Sequence, residues 1–337
     1  MTSDGRFPPA PPQGKRRLID QPDDLAAVAV QLAAAPILGV DVEAGIPPRE
    51  RHSRFALLQI AIAGITFAID PLRIRDLSPL APIMGSETIL KVFHGIGLDR
   101  DMLEGAQLPL RQVCDLSDLA RSAYGKGEAS LAALARRAFG IGMDKSLQRS
   151  DWLHRPLSLP LLSYAWRDAE LTLGLYFWAR EHHPTLIHLH TTLDPRPSIP
   201  AHLPAWLRTV LGGSRQPVAD LMAQNGLEVE RDTAAVLSAM ESGLNTVSDP
   251  RLRARLLRVA GELDLYELAP ALLSALQAEP ANERAAAAKA LATLGEQSTE
   301  PAIRALLDDE TAEVRESALQ ALEILPQRIP PEADLQD

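Results

Sequence analysis

Asp41 and Glu43 stand two residues apart in the otherwise apolar segment Gly39-Val40-Asp41-Val42-Glu43. If that segment is a strand, alternation sends both carboxylates to one face. Two like charges there repel one another and resist desolvation, and a bound cation removes both penalties. The competing reading is the exposed end of a strand, where acidic residues are ordinary. Asp99 closes the run Lys91-Val92-Phe93-His94-Gly95-Ile96-Gly97-Leu98-Asp99, which reads as strand, glycine turn and first helical turn; a capping carboxylate would look the same. Tyr164 and Asp168 lie four apart in a helical pattern, so phenol and carboxylate share a face and reach one point. An ordinary helix surface offers that pair too.

Taken together, the order Asp-x-Glu, Asp, Tyr-x-x-x-Asp resembles the DEDD superfamily of exonucleases in its tyrosine-bearing subclass. The segments Asp144-Lys145-Ser146, Gln148-Arg149-Ser150-Asp151-Trp152 and Arg155-Pro156-Leu157, followed by Tyr164 and Asp168, resemble the signature of the ribonuclease D family. Leu57-Leu58-Gln59-Ile60-Ala61, Ile69-Asp70-Pro71-Leu72 and Lys91-Val92-Phe93-His94 fit that family as well, and the similarity covers about residues 17–182. It implies a ribonuclease H-like α/β domain, a mixed sheet flanked by helices, with metal-dependent 3′→5′ exonuclease activity. By this resemblance Asp41, Glu43, Asp99 and Asp168 hold two divalent cations, Mg²⁺ or Mn²⁺, and Tyr164 orients or helps deprotonate the attacking water. Hard oxygen ligands without a cysteine cluster suit those metals.

The implied reaction releases nucleoside 5′-monophosphates from a 3′-hydroxyl end of RNA, such as a transfer RNA precursor. DNA is the alternative substrate, because recognition of a 2′-hydroxyl is not legible in sequence. A second alternative, from another class, is a catalytically silent scaffold acting through its C-terminal repeats; retention of all four carboxylates and Tyr164 speaks against it. Family members usually read Asp-Thr-Glu followed by an aromatic, whereas Val42 and Ala44 stand at those places. Val42 is expected to point away from the carboxylates. Trp166 occupies a position that is commonly small, with bulk enough to narrow or reshape a substrate channel.

Lys145, Arg149, Trp152 and Arg155 form a basic set with one aromatic, suited to phosphates and a stacked base. Equally, Asp144, Lys145, Asp151 and Arg155 could brace a loop through internal ion pairs. His94 is expected to pack beneath the Asp99 turn. His188 and His190 would share one side of an extended segment, as metal ligands can, but they join His182 and His183 in a Pro-flanked stretch and are expected to be solvated.

Short apolar runs at 37–42, 55–63, 65–69 and 89–93, and a strand near Val113, are bounded by Gly, Pro or charge, as strands are. The first three suggest an antiparallel meander. Helices are expected at 18–35, 116–123, 130–139 and 159–180. Residues 1–16 read as a disordered arm, 17–182 as the exonuclease domain, 183–202 as a Pro-rich linker, 203–247 as a helical connector and 327–337 as a disordered tail. Over 248–326 a repeat of period 31 aligns Arg253 with Arg284 and Arg315, Ala260 with Leu291 and Leu322, and Leu263 with Leu294 and Leu325. Such units bury their faces by stacking on neighbours and resemble short HEAT-like repeats.

The chain has 337 residues and a net charge of −10. Residues 1–190 balance 21 Lys and Arg against 21 Asp and Glu, so the excess lies wholly in 191–337, with 13 against 23. An acidic array is poorly suited to phosphates and is expected to meet a protein partner. One cysteine, no apolar run near the roughly 18–20 residues of a membrane span and no secretory pattern point to a cytoplasmic protein.

Overall fold

The computed structural model describes residues 14–48, 50–144, 146–194, 199–213 and 216–327. Contacts divide the chain into two compact units, one running to Ala120 and resuming over Glu128–Arg196, the other combining Arg121–Gly127 with the chain from Pro197 onward.

Seven strands of the first unit form one mixed sheet: β1 (Lys15–Ile19), β2 (Ile37–Gly45), β3 (Arg54–Ile62), β4 (Ile65–Ile69), β5 (Leu90–Phe93), β6 (Val113–Asp115) and β7 (Thr191–Thr192). Their order across the sheet is β1-β4-β3-β2-β5-β6-β7. The meander β2-β3-β4 is antiparallel, as expected, while β2-β5 and β5-β6 run parallel. Helices α1 (Pro22–Ala33), α2 (Ala81–Met84), α3 (Ile96–Gly105), α4 (Leu116–Tyr124), α5 (Leu131–Phe139), α6 (Leu159–His182) and α7 (Pro184–Leu189) accompany the sheet.

Alternation gives each strand two buried faces. Leu38 and Val40 of β2, Leu58 and Ile60 of β3 and Phe67 and Ile69 of β4 join Leu25, Val28 and Leu32 of α1 in one core. On the other side Ala56, Leu57 and Ala68 pack with Leu162, Ala165 and Trp166 of α6, and Ala61 packs with Ala169 and Leu173. The long helix α6 thus covers the face that carries Asp41 and Glu43.

Three expectations are corrected. The helix expected from Leu18 begins at Pro22, and Lys15–Ile19 is a strand paired in parallel with β4. Proline favours the first helical turn, and Ile19 is fully buried whereas Leu18 is 39% exposed, the alternation of a strand. The remainder of the expected N-terminal arm, residues 1–13, lies outside the described residues, as do 328–337 of the expected tail. The expected linker is ordered in its first half: Pro184 starts α7, and Thr191–Thr192 adds an antiparallel edge to β6. Proline here opens a helix rather than marking a hinge. His182 Nδ1 donates to the Trp178 carbonyl (2.8 Å), and the imidazole stacks on the Trp178 ring. His188 is exposed, but His190 is buried, so the histidines are not uniformly solvated.

The second unit is helical: α8 (Ala205–Gly212), α9 (Val218–Asn225), α10 (Thr233–Thr246), α11 (Pro250–Glu262), α12 (Ala269–Ala275), α13 (Ala281–Leu294), α14 (Glu300–Ala305) and α15 (Ala312–Ile324). The repeating arginines share a task. Arg284 donates to the carbonyls of Ala278 and Glu279 just before its own helix, and Arg315 does the same to Asp309 and Glu310. Arg253 holds the Leu244 and Val247 carbonyls. Arg253 also reaches Glu283, and Arg284 grips Asp309 with two bonds, so each ties its repeat to the next. At Gly261 an added Cβ would lie 2.9 Å from the Ala290 Cα, which marks a close approach of α11 and α13. Among the described residues, no helix is long and apolar enough to cross a membrane.

The Arg284–Asp309 pair is largely buried, whereas Arg304–Glu300 is exposed. Arg284→Ala should therefore destabilise the second unit by about 3–5 kcal/mol, and Arg304→Ala should leave it unchanged within error. Chemical denaturation followed by circular dichroism measures both; equal effects would contradict a structural role for the repeated arginine.

Candidate active site

Strand β2 presents Gly39, Asp41 and Glu43 toward α6 and sends Val40 and Val42 to the opposite core, as expected for Val42. A bulge between Glu43 and Ala44 interrupts the pairing with β3 immediately beyond the carboxylates. Gly39 sets the distance to α6. A Cβ there would lie 2.6 Å from the Ala169 carbonyl oxygen and 2.7 Å from Leu173 Cβ, so a larger residue would push the helix outward.

Helix α6 starts at Ser158, whose hydroxyl accepts from the Leu161 amide, with Pro160 in the first turn. It carries Tyr164 and Asp168 one turn apart, and the phenol hydrogen-bonds to the Asp168 carboxylate. Carboxylate oxygens of Asp41, Glu43 and Asp168 lie within 4.8 Å of one another. Three acidic groups so close, two from a strand and one from a helix, form an oxygen-donor set that could hold a metal ion.

Asp99 enters from α3. The turn before that helix places Gly95 at φ +91°, a conformation that favours glycine. Asp115, at the end of β6, accepts from the amides of Gly95 (2.8 Å), Ile96 (3.0 Å) and Ser117 (2.8 Å). It therefore caps α3 from a neighbouring strand and fixes the turn that delivers Asp99. Asp115 escaped the motif reading because the turn it caps, at Gly95 and Ile96, lies 20 and 19 residues away in sequence, with no local spacing signal.

The electrostatics follow from the crowding. Burial first, then the charges of Asp168, Glu43 and Asp99, hold the Asp41 carboxyl well above its usual range. Burial and the charges of Asp168 and Asp99 push Glu43 up to about 8. Burial and Asp115 push Asp99 to about 7. Asp168 rises to about 6 through burial, against the opposing phenol hydrogen bond and the Arg167 charge. Burial and the carboxylates also raise Tyr164, which keeps its phenol protonated.

The expected substrate-contact residues separate. Lys145 lies outside the described residues. Arg149 is exposed on the turn before Trp152. Trp152 is only 1% exposed and sits 6.1 Å from the Tyr164 ring, so it supports the tyrosine from within the core rather than offering a stacking face. Arg155 spends all five N–H groups inside the fold: on both Asp70 oxygens (2.6 and 2.9 Å) and on the carbonyls of Trp152, His154 and Ala56. The ion-pair alternative therefore describes Arg155, although its partner is Asp70. Asp144 and Asp151 instead accept from the amides of Ser146 and Leu153. Trp166 packs against Ala68 and Leu162, with the Arg16 guanidinium 5.8 Å from its ring centre, and is a core residue rather than a channel wall. His94 bonds the Ala129 carbonyl at 2.9 Å, at the entry to α5.

Residues 16–177 match the model of a 3′–5′ exonuclease family, and residues 220–328 match that of HEAT repeats. Among curated relatives, a ribonuclease D of Zymomonas mobilis is 34% identical over 156 residues, covering 45% of this chain and 39% of that protein. A ribonuclease D of Desulfotalea psychrophila is 30% identical, with 46% and 41% covered. The chain thus spans about two fifths of the length of these relatives. The solved ribonuclease D of Escherichia coli aligns with a TM-score of 0.46 at 20% identity, covering 94% of each chain. The chain carries a 3′–5′ exonuclease family domain followed by HEAT repeats. Over that first domain its sequence is similar to ribonuclease D proteins.

Because folding favours the protonated carboxyls, the stability they leave is fully present below about pH 4, the unfolded carboxyl range. It is lost as pH rises through the folded values of about 6 to 8. Stripped of divalent cations, the chain should melt at falling temperature from about pH 5 to pH 8. Asp41→Asn should flatten that fall, and parallel melting curves for both proteins would contradict the mutual repulsion described.

Proposed function

We propose that this chain is a metal-dependent 3′→5′ exoribonuclease. The observation that carries the reading is the convergence of Asp41, Glu43 and Asp168 within 4.8 Å, with the Asp99 charge acting on the first two, inside a domain matching an exonuclease family. The donor set fits hard divalent cations, because four carboxylates held above their ordinary range favour a compensating positive charge. Asp41, Glu43, Asp99 and Asp168 would hold two such ions, Mg²⁺ or Mn²⁺. Bound there, such ions would supply water activation and charge stabilisation for phosphodiester hydrolysis.

The protein's own residues do the rest. Tyr164, kept protonated with its O–H given to Asp168, offers its phenol oxygen as an acceptor that orients the attacking water rather than acting as a base. Trp152 behind it fixes the ring. Among the described residues of the motif segment Arg149 is the exposed cation, and it contacts the RNA backbone. Hydrolysis then releases nucleoside 5′-monophosphates from a 3′-hydroxyl end. RNA is preferred over DNA because the similar proteins are ribonucleases by name, and processing of structured RNA such as transfer RNA precursors is the proposed task. The HEAT repeats, which carry the acidic excess, are proposed to bind a protein partner.

The test uses 5′-labelled RNA and DNA of one sequence, each with a 3′-hydroxyl or a 3′-phosphate end. Wild type with Mg²⁺ or Mn²⁺ should shorten the 3′-hydroxyl RNA stepwise, and Asp41→Asn should be slower by more than the ~10–100-fold typical of losing an outer partner of a metal ligand. Undiminished cleavage by Asp41→Asn would sink the reading, and faster loss of DNA would transfer the substrate to DNA.

The same assay separates the two motif arginines. Arg149→Ala should weaken RNA binding while leaving the melting temperature unchanged. Arg155→Ala should destabilise the fold by about 3–5 kcal/mol. A stable Arg155→Ala with a pure binding defect would reverse the assignment.

A further inference from the structure

Gln59 lies in the middle of β3 and has no exposed surface. Neither its amide nitrogen nor its amide oxygen has a hydrogen-bond partner among the described residues. Burying a carboxamide in that condition is costly, and native folds rarely do so without a use for it.

Register shows what the side chain faces. Gln59 is the direct cross-strand partner of Asp41 on β2 and of Ala68 on β4. Directly opposed residues send their side chains to the same face, with Cβ atoms about 5 Å apart. Leu57 and Ala61, two residues to either side, pack against α6 on that face, with Leu162, Ala165 and Trp166 around the first and Ala169 and Leu173 around the second. Gln59 is therefore enclosed beneath α6, flanked by apolar residues along its own strand, with Asp41 as its polar cross-strand neighbour.

We propose that Gln59 is a positioning residue for Asp41 in the cation-bound protein: there its Nε2 amide, unpaired in the metal-free fold, donates to the Asp41 carboxylate oxygen that does not ligate the divalent cation, and so fixes the orientation of the oxygen that does. The proposal rests on the reading of the acidic cluster as a metal centre. Carboxamide chemistry suits the task. A carboxylate at this place would add a further negative charge to a crowded cluster, and a lysine would neutralise Asp41 and compete with the cation. A neutral donor orients the ligand without altering its charge, as outer partners of metal ligands do.

The test measures Mn²⁺ binding to the full chain by electron paramagnetic resonance of the free ion, for wild type, Asp41→Asn, Gln59→Leu and the near-isosteric Gln59→Met. Thermal melting of each protein without metal serves as the folding check. Both Gln59 variants should melt at or above wild type, because two unpaired polar atoms leave the core, yet bind Mn²⁺ about 10–100-fold more weakly. Their turnover number should fall with little change in KM. A folded Gln59→Leu or Gln59→Met that binds Mn²⁺ within twofold of wild type overturns the positioning role alone. Absence of Mn²⁺ binding in wild type, or undiminished binding in Asp41→Asn, overturns the metal centre and this proposal with it.

Discussion

Mutual repulsion among buried carboxylates is the constraint on which the first unit depends. Asp41, Glu43 and Asp168 stand within 4.8 Å of one another, with Asp99 acting on the first two from α3. No isolated element could hold such a set, because each carboxylate gains by moving away into water. Rigidity must come from elsewhere, and the apolar faces behind the site supply it. Val40, flanked by Asp41 and Gly39, is fully buried in the core shared with α1. Ala165, Ala169 and Leu173 keep α6 seated on β3. Hydrophobic burial on both sheet faces offsets the electrostatic strain of the acidic face.

Small side chains set how close that seating is. Gly39 has no Cβ to meet the Ala169 carbonyl, so α6 approaches β2 far enough for Asp168 to reach Asp41. Asp115 does the corresponding work for α3, and Arg155 for the loop leading to α6. Arg155 ties β4's end at Asp70 to the Trp152 and His154 carbonyls and to Ala56 on β3. Each of the three elements that bring a carboxylate is thus fixed by a contact remote from it in sequence.

That remoteness explains what was legible. The shared strand face of Asp41 and Glu43, the glycine turn before Asp99 and the shared helix face of Tyr164 and Asp168 were readable because these are local patterns; their grouping into one set came from the resemblance to the ribonuclease D family. The meander was readable for the same reason, and the 31-residue period because each Arg repeats a local bond to the carbonyls before its own helix. β1 and β7 were not. Each is an edge strand whose identity comes from a partner, β4 or β6, rather than from its own five or two residues. The Arg155–Asp70 pair spans 85 residues, and no spacing rule connects the two. Trp152 sits in a polar segment, which suggests a surface, yet the Tyr164 ring and Leu162 enclose it.

The segment containing Trp152 and Arg155 shows how a motif can combine tasks that sequence assigns to one. Its basic and aromatic residues look like a single nucleic-acid surface, but a guanidinium with all five N–H groups bonded has no donor left for a phosphate. A tryptophan at 1% exposure has no face left for a base. Their contribution is support: the Tyr164 ring rests on one and the loop entering α6 on the other. Loosening the loop would displace Tyr164, which sits against Trp152 one helical turn from Asp168. Buried and exposed roles are thus divided within one short stretch: Arg155 and Trp152 brace the entry to α6, and Arg149 is exposed.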